Sequence, residues 1–282
     1  MPPQPATKNQ RRAEAREIAR LEREQRQKRQ RRTKVLVRVG ATVGVLAVLA
    51  AIGGGIWLSS RPDAPGPANL LSGGALFTGS NGEISIVETA GQAAGEDPTP
   101  SDTSSYDASA NIVSYLDFGC EYCKAFETTN AAQIEELVAA GEATLEVVPV
   151  AITGPYAVRS ASAASCLAAY QPESFFDMLP AMYDNQPAEG TSLTNSEILE
   201  IWRNAGIDPS TELESCVNDE RYAEWIQANT ERVVNDPAIA NPATGGFGTP
   251  TIFVNDIRYE GTLQDPAVFA QFISDNSRPA GT

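Results

Sequence analysis

Two cysteines three positions apart, Cys120 and Cys123, are the residues best suited to chemistry in this chain. A thiol becomes a nucleophile only as its thiolate. A helix start supplies unpaired N–H groups and a dipole that favour the anion. Residues 111–118 read as a buried strand, and the pattern from about 121 to 140 reads as a helix. Cys120 therefore falls where the strand ends and the helix begins, and Cys123 follows on the same helical face. Such a pair can close a small ring. One sulfur exchanges with a foreign thiol or disulfide, and the other resolves the mixed disulfide. The bare spacing also fits half of a zinc site or a structural bridge. A zinc site needs further ligands at similar spacing, whereas Cys166 and Cys216 are widely separated singles.

A second signal is the run Phe247-Gly248-Thr249-Pro250-Thr251-Ile252-Phe253-Val254. A proline that opens an apolar strand cannot donate to the ladder at its own position. An ordinary trans proline at a strand start fits the same pattern.

The chain has no histidine among its 282 residues. That excludes Ser–His–Asp and Cys–His hydrolases and any His-ligated zinc or copper site. The net charge of −15 is uneven. Residues 1–38 hold 13 Lys/Arg against four Asp/Glu, about +9, and the remainder carries about −24. An acidic body argues against nucleic-acid binding by the folded part.

The elements that must position the cysteines follow the 111–118 strand. The helix after Cys120 stops at Gly141, a favourable cap, and 144–152 is a second apolar strand. Strand, helix, strand implies a right-handed crossover and a parallel pair. Residues of about 155–234 read as mostly helical, with breaks at Pro172, Pro187 and Pro209. A third strand covers 251–254, Asn255-Asp256 turns the chain, and Asp265-Pro266 caps a last helix through about 274. The aromatics Tyr156, Phe175, Phe176, Tyr183 and Trp202 read as core before they read as a groove lining.

Upstream, 1–34 reads as a basic cytoplasmic tail and 35–58 as a membrane anchor. Residues 39–58 are 20 residues without a charge, a helix of about 30 Å, the thickness of a bilayer's hydrocarbon core. The excess of Lys/Arg before it places the N-terminus in the cytoplasm. The expected location is thus a single-pass cell-membrane protein whose body lies outside the cytoplasm. Residues 59–81, rich in Pro, Gly, Ser and Ala, read as a flexible linker. The organised domain is expected over 82–282, opening with a short strand at 82–87. In an exported domain, four cysteines suggest disulfides.

With strand, Cys120-Glu121-Tyr122-Cys123, helix, strand, helical insertion and a Gly248-Thr249-Pro250-Thr251 strand in this order, the chain resembles the DsbA-like branch of the thioredoxin superfamily. The resemblance implies an α/β thioredoxin-like fold with a helical insertion, here preceded by one transmembrane helix. It implies a thiol–disulfide oxidoreductase that needs no cofactor and no metal. Cys120 would attack and Cys123 resolve. Thr249 and a cis Pro250 would face the cysteines and offer backbone groups to an extended substrate. Cys166 and Cys216 would form a second disulfide or remain two buried thiols. The implied partners are exported protein or peptide thiols, and a membrane redox partner that recycles the pair.

Three departures bear on redox behaviour. Glu121 stands where the family often has proline, and Tyr122 where many members have histidine or tyrosine. Ser114 stands where a buried acid often relays protons. Without a neighbouring imidazolium, and with Glu121 expected to raise the Cys120 thiol, the site is expected to oxidise less strongly than a histidine-bearing relative. A disulfide-forming oxidase is the leading reading. An isomerase or reductase comes next, then an anchored binding module without turnover.

Overall fold

The computed structural model describes residues 65–188 and 190–278. The expected basic tail and membrane anchor lie outside the described residues. Among the described residues no helix is long and apolar enough to cross a membrane.

The frame of the domain is a six-stranded sheet. Its strands are β1 (Ala75–Ser80), β2 (Glu83–Ile86), β3 (Ala110–Leu116), β4 (Ala143–Pro149), β5 (Thr251–Val254) and β6 (Ile257–Arg258). Their spatial order is β2-β1-β4-β3-β5-β6. β3 and β4 run parallel, with Ile112 opposite Leu145 and Tyr115 opposite Val148. β5 runs antiparallel to β3, with Tyr115 opposite Thr251.

The linker reading of 59–81 is corrected at its end. Ala75–Ser80 is a strand inside the sheet, between β2 and β4. Ala75, Leu76 and Phe77 are buried there, and Phe77 packs 4.7 Å from Phe175, ring centre to ring centre. Its small residues serve close approach: a Cβ on Gly79 would lie 2.0 Å from the Val138 carbonyl oxygen.

Helix α1 (Glu121–Ala139) crosses from β3 to β4. Its end is closed by Gly141, at φ 75°. The Gly141 N–H donates to the Val138 carbonyl, and the Glu142 N–H to that of Leu137. This satisfies two carbonyls that the helix would leave open. The insertion follows as α2 (Pro155–Tyr170), α3 (Phe175–Asp184), α4 (Asn195–Asn204), α5 (Thr211–Asn218) and α6 (Ala223–Asn235). A short 3₁₀ turn at Pro172–Ser174 separates α2 from α3. The final helix, α7 (Pro266–Asn276), begins with the Asp265 side chain accepting from the Ala267 N–H.

The main core lies between one face of the sheet, α1 and the insertion. Tyr156, Phe175, Tyr183 and Trp202 are buried in it, and Phe176 packs against it half-buried. A smaller cluster of Val148, Val150, Val233 and Ile239 covers the other sheet face. Burial on both faces explains why β3 is apolar almost throughout. Cys166 of α2 and Cys216 of α5 are joined as a disulfide, Cα–Cα 5.9 Å, across a sequence separation of 50.

Candidate active site

β3 ends at Leu116, and the loop Asp117–Gly119 turns the chain into α1. Cys120 is the N-cap residue of that helix, with extended backbone (φ −86°, ψ 122°). Its own N–H donates to the Asp117 carbonyl, and its carbonyl accepts from the Lys124 N–H. Cys120 and Cys123 are both free thiols. Cys120 is 7% exposed and Cys123 is fully buried. The sulfur expected to attack is therefore almost buried.

The two sulfurs are tuned in opposite directions. The Cys120 thiol is lowered to about 6. The first cause is a hydrogen bond from the Cys123 thiol, and the Thr249 side chain and the N–H groups of Cys123 and Tyr122 add to it, against burial. Burial pushes the Cys123 thiol well up, and so does its bond to Cys120. One sulfur is thus a ready thiolate and leaving group. The other stays protonated unless a disulfide holds it.

Glu121 and Tyr122 occupy the first turn of α1, both exposed, Tyr122 at 60%. The rise expected from Glu121 does not govern the Cys120 thiol: the Glu121 side chain is exposed, and hydrogen-bond donors around the sulfur lead the shift.

Because Thr251 pairs with Tyr115, the residues just before β5 lie beside the loop that carries Cys120. Thr249–Pro250 is a cis peptide. The Cys120 thiol donates to the Thr249 carbonyl at 3.3 Å. The loop is tied down by the Thr251 hydroxyl, which donates to the Gly248 carbonyl at 2.7 Å. Arg258 donates in turn to that hydroxyl.

Sequence reasoning missed three residues here. Asp117 is completely buried. Its carboxylate accepts from the N–H groups of Gly119, Ile152 and Thr153 and from the Thr153 hydroxyl, at 2.7–2.9 Å. Its own N–H donates to the Cys123 sulfur at 3.4 Å. One side chain thereby fixes the cysteine loop to the loop after β4. Gly119 is required for this close fit, since a Cβ there would lie 2.3 Å from the Thr153 hydroxyl oxygen. Gln186, just beyond α3, donates to the carbonyls of Phe118 (2.7 Å) and Cys120 (3.1 Å). Glu127, one turn past Cys123, is buried. The signal for Glu127 was its spacing of four from Cys123 along one helix face. Asp117 and Gln186 had none.

The family model described as Thioredoxin matches residues 104–275. The chain belongs to the thioredoxin family. No curated protein matches it. Among solved structures it is similar to reduced DsbA from Mycobacterium tuberculosis. The two are 26% identical over 72% of this chain and 91% of that one, with a TM-score of 0.53. It is equally similar to the reduced disulfide bond oxidoreductase DsbG of that organism: 26% identical, 73% and 88% covered, TM-score 0.53. Oxidised BdbD from Bacillus subtilis shares the fold at 18% identity, with 77% and 98% covered and a TM-score of 0.52. Within the thioredoxin family the chain is thus a thiol–disulfide oxidoreductase of the DsbA type.

Proposed function

We propose that the chain forms disulfides in exported proteins, by mixed-disulfide exchange at Cys120 with Cys123 as the resolving sulfur. The observation that carries this reading is the opposed tuning of the pair: Cys120 lowered to about 6, Cys123 raised. A stabilised thiolate favours the reduced dithiol over the disulfide, which makes the disulfide a better oxidant. The Thr249 carbonyl beside the Cys120 sulfur supports a role for Thr249 and Pro250 in holding an extended substrate strand. In this reading 35–58 anchors the protein and the domain works outside the cytoplasm. There a membrane redox partner restores the disulfide.

The test is the reduction potential of the Cys120–Cys123 pair, by equilibration of the full-length protein in detergent with glutathione buffers. Cys120→Ser is the control. A truncation starting at Gly82 is unsuitable because it removes β1. A potential above the glutathione poise is expected. One well below it sinks the oxidase reading in favour of a reductase.

A further inference from the structure

The loop 240–250, which carries Thr249 and Pro250, is poorly held by its own packing. Residues 242–246 are exposed, and a Cβ at Gly246 or Gly248 would meet nothing within 4 Å. Near its tip the loop bonds to itself. The Asn241 N–H donates to the Gly246 carbonyl at 2.8 Å, and the Asn241 carbonyl accepts from the Gly245 N–H at 2.7 Å. Yet Thr249 must stay in place, because its carbonyl lies 3.3 Å from the Cys120 sulfur. A small misplacement beside a reacting centre costs rate steeply.

Arg258 of β6 supplies the missing hold. It is half-buried, and its guanidinium has three neutral partners. One nitrogen donates to the Thr251 hydroxyl at 3.0 Å, and a second donates to the Ile239 carbonyl. The central carbon stands 5.0 Å from the middle of the Phe253 ring, a cation–π contact. Ile239 and Thr251 flank the loop at its two ends, so one rigid planar group sets the distance between them. A guanidinium can only donate, which makes the Thr251 hydroxyl the acceptor. The single proton of that hydroxyl is thereby aimed at the Gly248 carbonyl, 2.7 Å away. This carbonyl belongs to the peptide that leads into Thr249. A second route runs through rings. Phe253 meets Tyr115 edge to face at 6.2 Å, and Tyr115 meets Phe247 in the same way at 6.0 Å. Arg258 thus bears on both residues before Thr249, on Gly248 through Thr251 and on Phe247 through the rings.

We propose that Arg258 is a positioning residue for disulfide exchange: it clamps both ends of the 240–250 loop and so fixes Thr249 against Cys120 for an extended peptide substrate. This rests on the reading that Thr249 and Pro250 hold a substrate strand beside the exchanging Cys120. Arg258 itself touches neither sulfur nor substrate. Its contribution is a loop already in place when the peptide arrives, so the ordering is not paid for out of binding. A lysine keeps the charge but offers one nitrogen, which cannot stand at both Thr251 and Ile239. A small dithiol without a peptide backbone makes no use of the loop and should depend on Arg258 far less.

The experiment uses oxidised full-length protein in detergent. Reduction of the Cys120–Cys123 disulfide is timed in single turnover, by acid quench and thiol labelling, with a two-cysteine peptide or with dithiothreitol. The peptide concentration at half-saturation should rise about five- to twentyfold in Arg258→Met, Arg258→Lys and Thr251→Val. The peptide rate should fall more than the dithiothreitol rate, a ratio that general damage to the fold would leave unmoved. Thr251→Ser restores the hydroxyl and should return half-saturation to near the wild-type value. Arg258→Met combined with Thr251→Val should be little worse than either alone, because both break one clamp. If Arg258→Met does not fold, the Thr251→Val and Thr251→Ser pair decides by itself. Unchanged half-saturation in the folded variants, or peptide and dithiothreitol rates that fall in equal proportion, overturns the role of Arg258 alone. A wild type that does not saturate with peptide removes the strand-holding reading beneath it. A wild-type disulfide that neither thiol reduces overturns the exchange reading itself.

Discussion

Replacing Cys123 with alanine asks directly what holds the Cys120 thiol at about 6, since its bond from Cys123 is the leading cause. A hydrogen bond to a charged acceptor contributes about 1.5–3 kcal/mol, and about 1.4 kcal/mol moves a titration by one pH unit. In Cys123→Ala the Cys120 midpoint should therefore rise to roughly 7–8. At pH 7 the thiolate fraction would fall from roughly 90% to roughly 10–50%, and alkylation would slow roughly two- to tenfold. The assay is the rate of iodoacetamide modification of the reduced protein between pH 4 and 10. Cys123→Ser keeps a donor and should leave the midpoint nearer the wild-type value. A midpoint still near 6 in Cys123→Ala would refute the reasoning. The helix N-terminus and Thr249 would then set the thiolate by themselves.

Three further outcomes follow from the same geometry. Asp117→Asn turns an amide toward the N–H donors of Ile152 and Thr153. It should lower stability by about 2–4 kcal/mol in urea melts, and a loss under about 1 kcal/mol would count against the carboxylate as the tie between the two loops. Replacing Cys166 and Cys216 together by alanine should remove up to about 4 kcal/mol, the chain-entropy value for a loop of this length. Each folded molecule should still exchange at Cys120, and a double variant as stable as the wild type would contradict this. Burial raises the folded-state Glu127 carboxyl from 4.5 to about 7, so ionisation opposes folding. Stability should fall as pH rises from about 4.5 through about 7, by about 3 kcal/mol in all. Glu127→Gln should lack that decline, and parallel declines in both proteins would be the disproof.

Much of this site was legible in the sequence because it depends on local order. A strand, then a cysteine at the helix start, then a second cysteine one turn on, needs no distant partner to be read. The α1 stop at Gly141 and the turn at Asn255-Asp256 were legible for the same reason. β1 was not. Its partners Leu145 and Val147 lie 68 and more positions away, and its composition resembles a linker. Only the close pass of Gly79 under α1 explains its small residues. Asp117 and Gln186 were illegible differently. An aspartate or a glutamine in a sequence carries no mark of what it will tie together, and each owes its contacts to packing from elsewhere. Proximity in sequence likewise suggested Glu121 as the main influence on Cys120, while Glu121 is exposed and the donors around the sulfur outweigh it.

The unequal sulfurs leave their mark on the electrochemistry of the pair. Reduction delivers two electrons, and the number of protons that accompany them depends on whether Cys120 keeps one. Below a pH of about 6 both sulfurs end as thiols, two protons are taken up, and the potential falls by about 60 mV per pH unit. Above it Cys120 remains a thiolate, one proton suffices, and the slope halves to about 30 mV. In a chain without histidine, no imidazole near the pair adds a bend of its own between pH 5 and 8. The break near pH 6 in a plot of potential against pH thus reads the acidity of the Cys120 sulfur, from outside the protein.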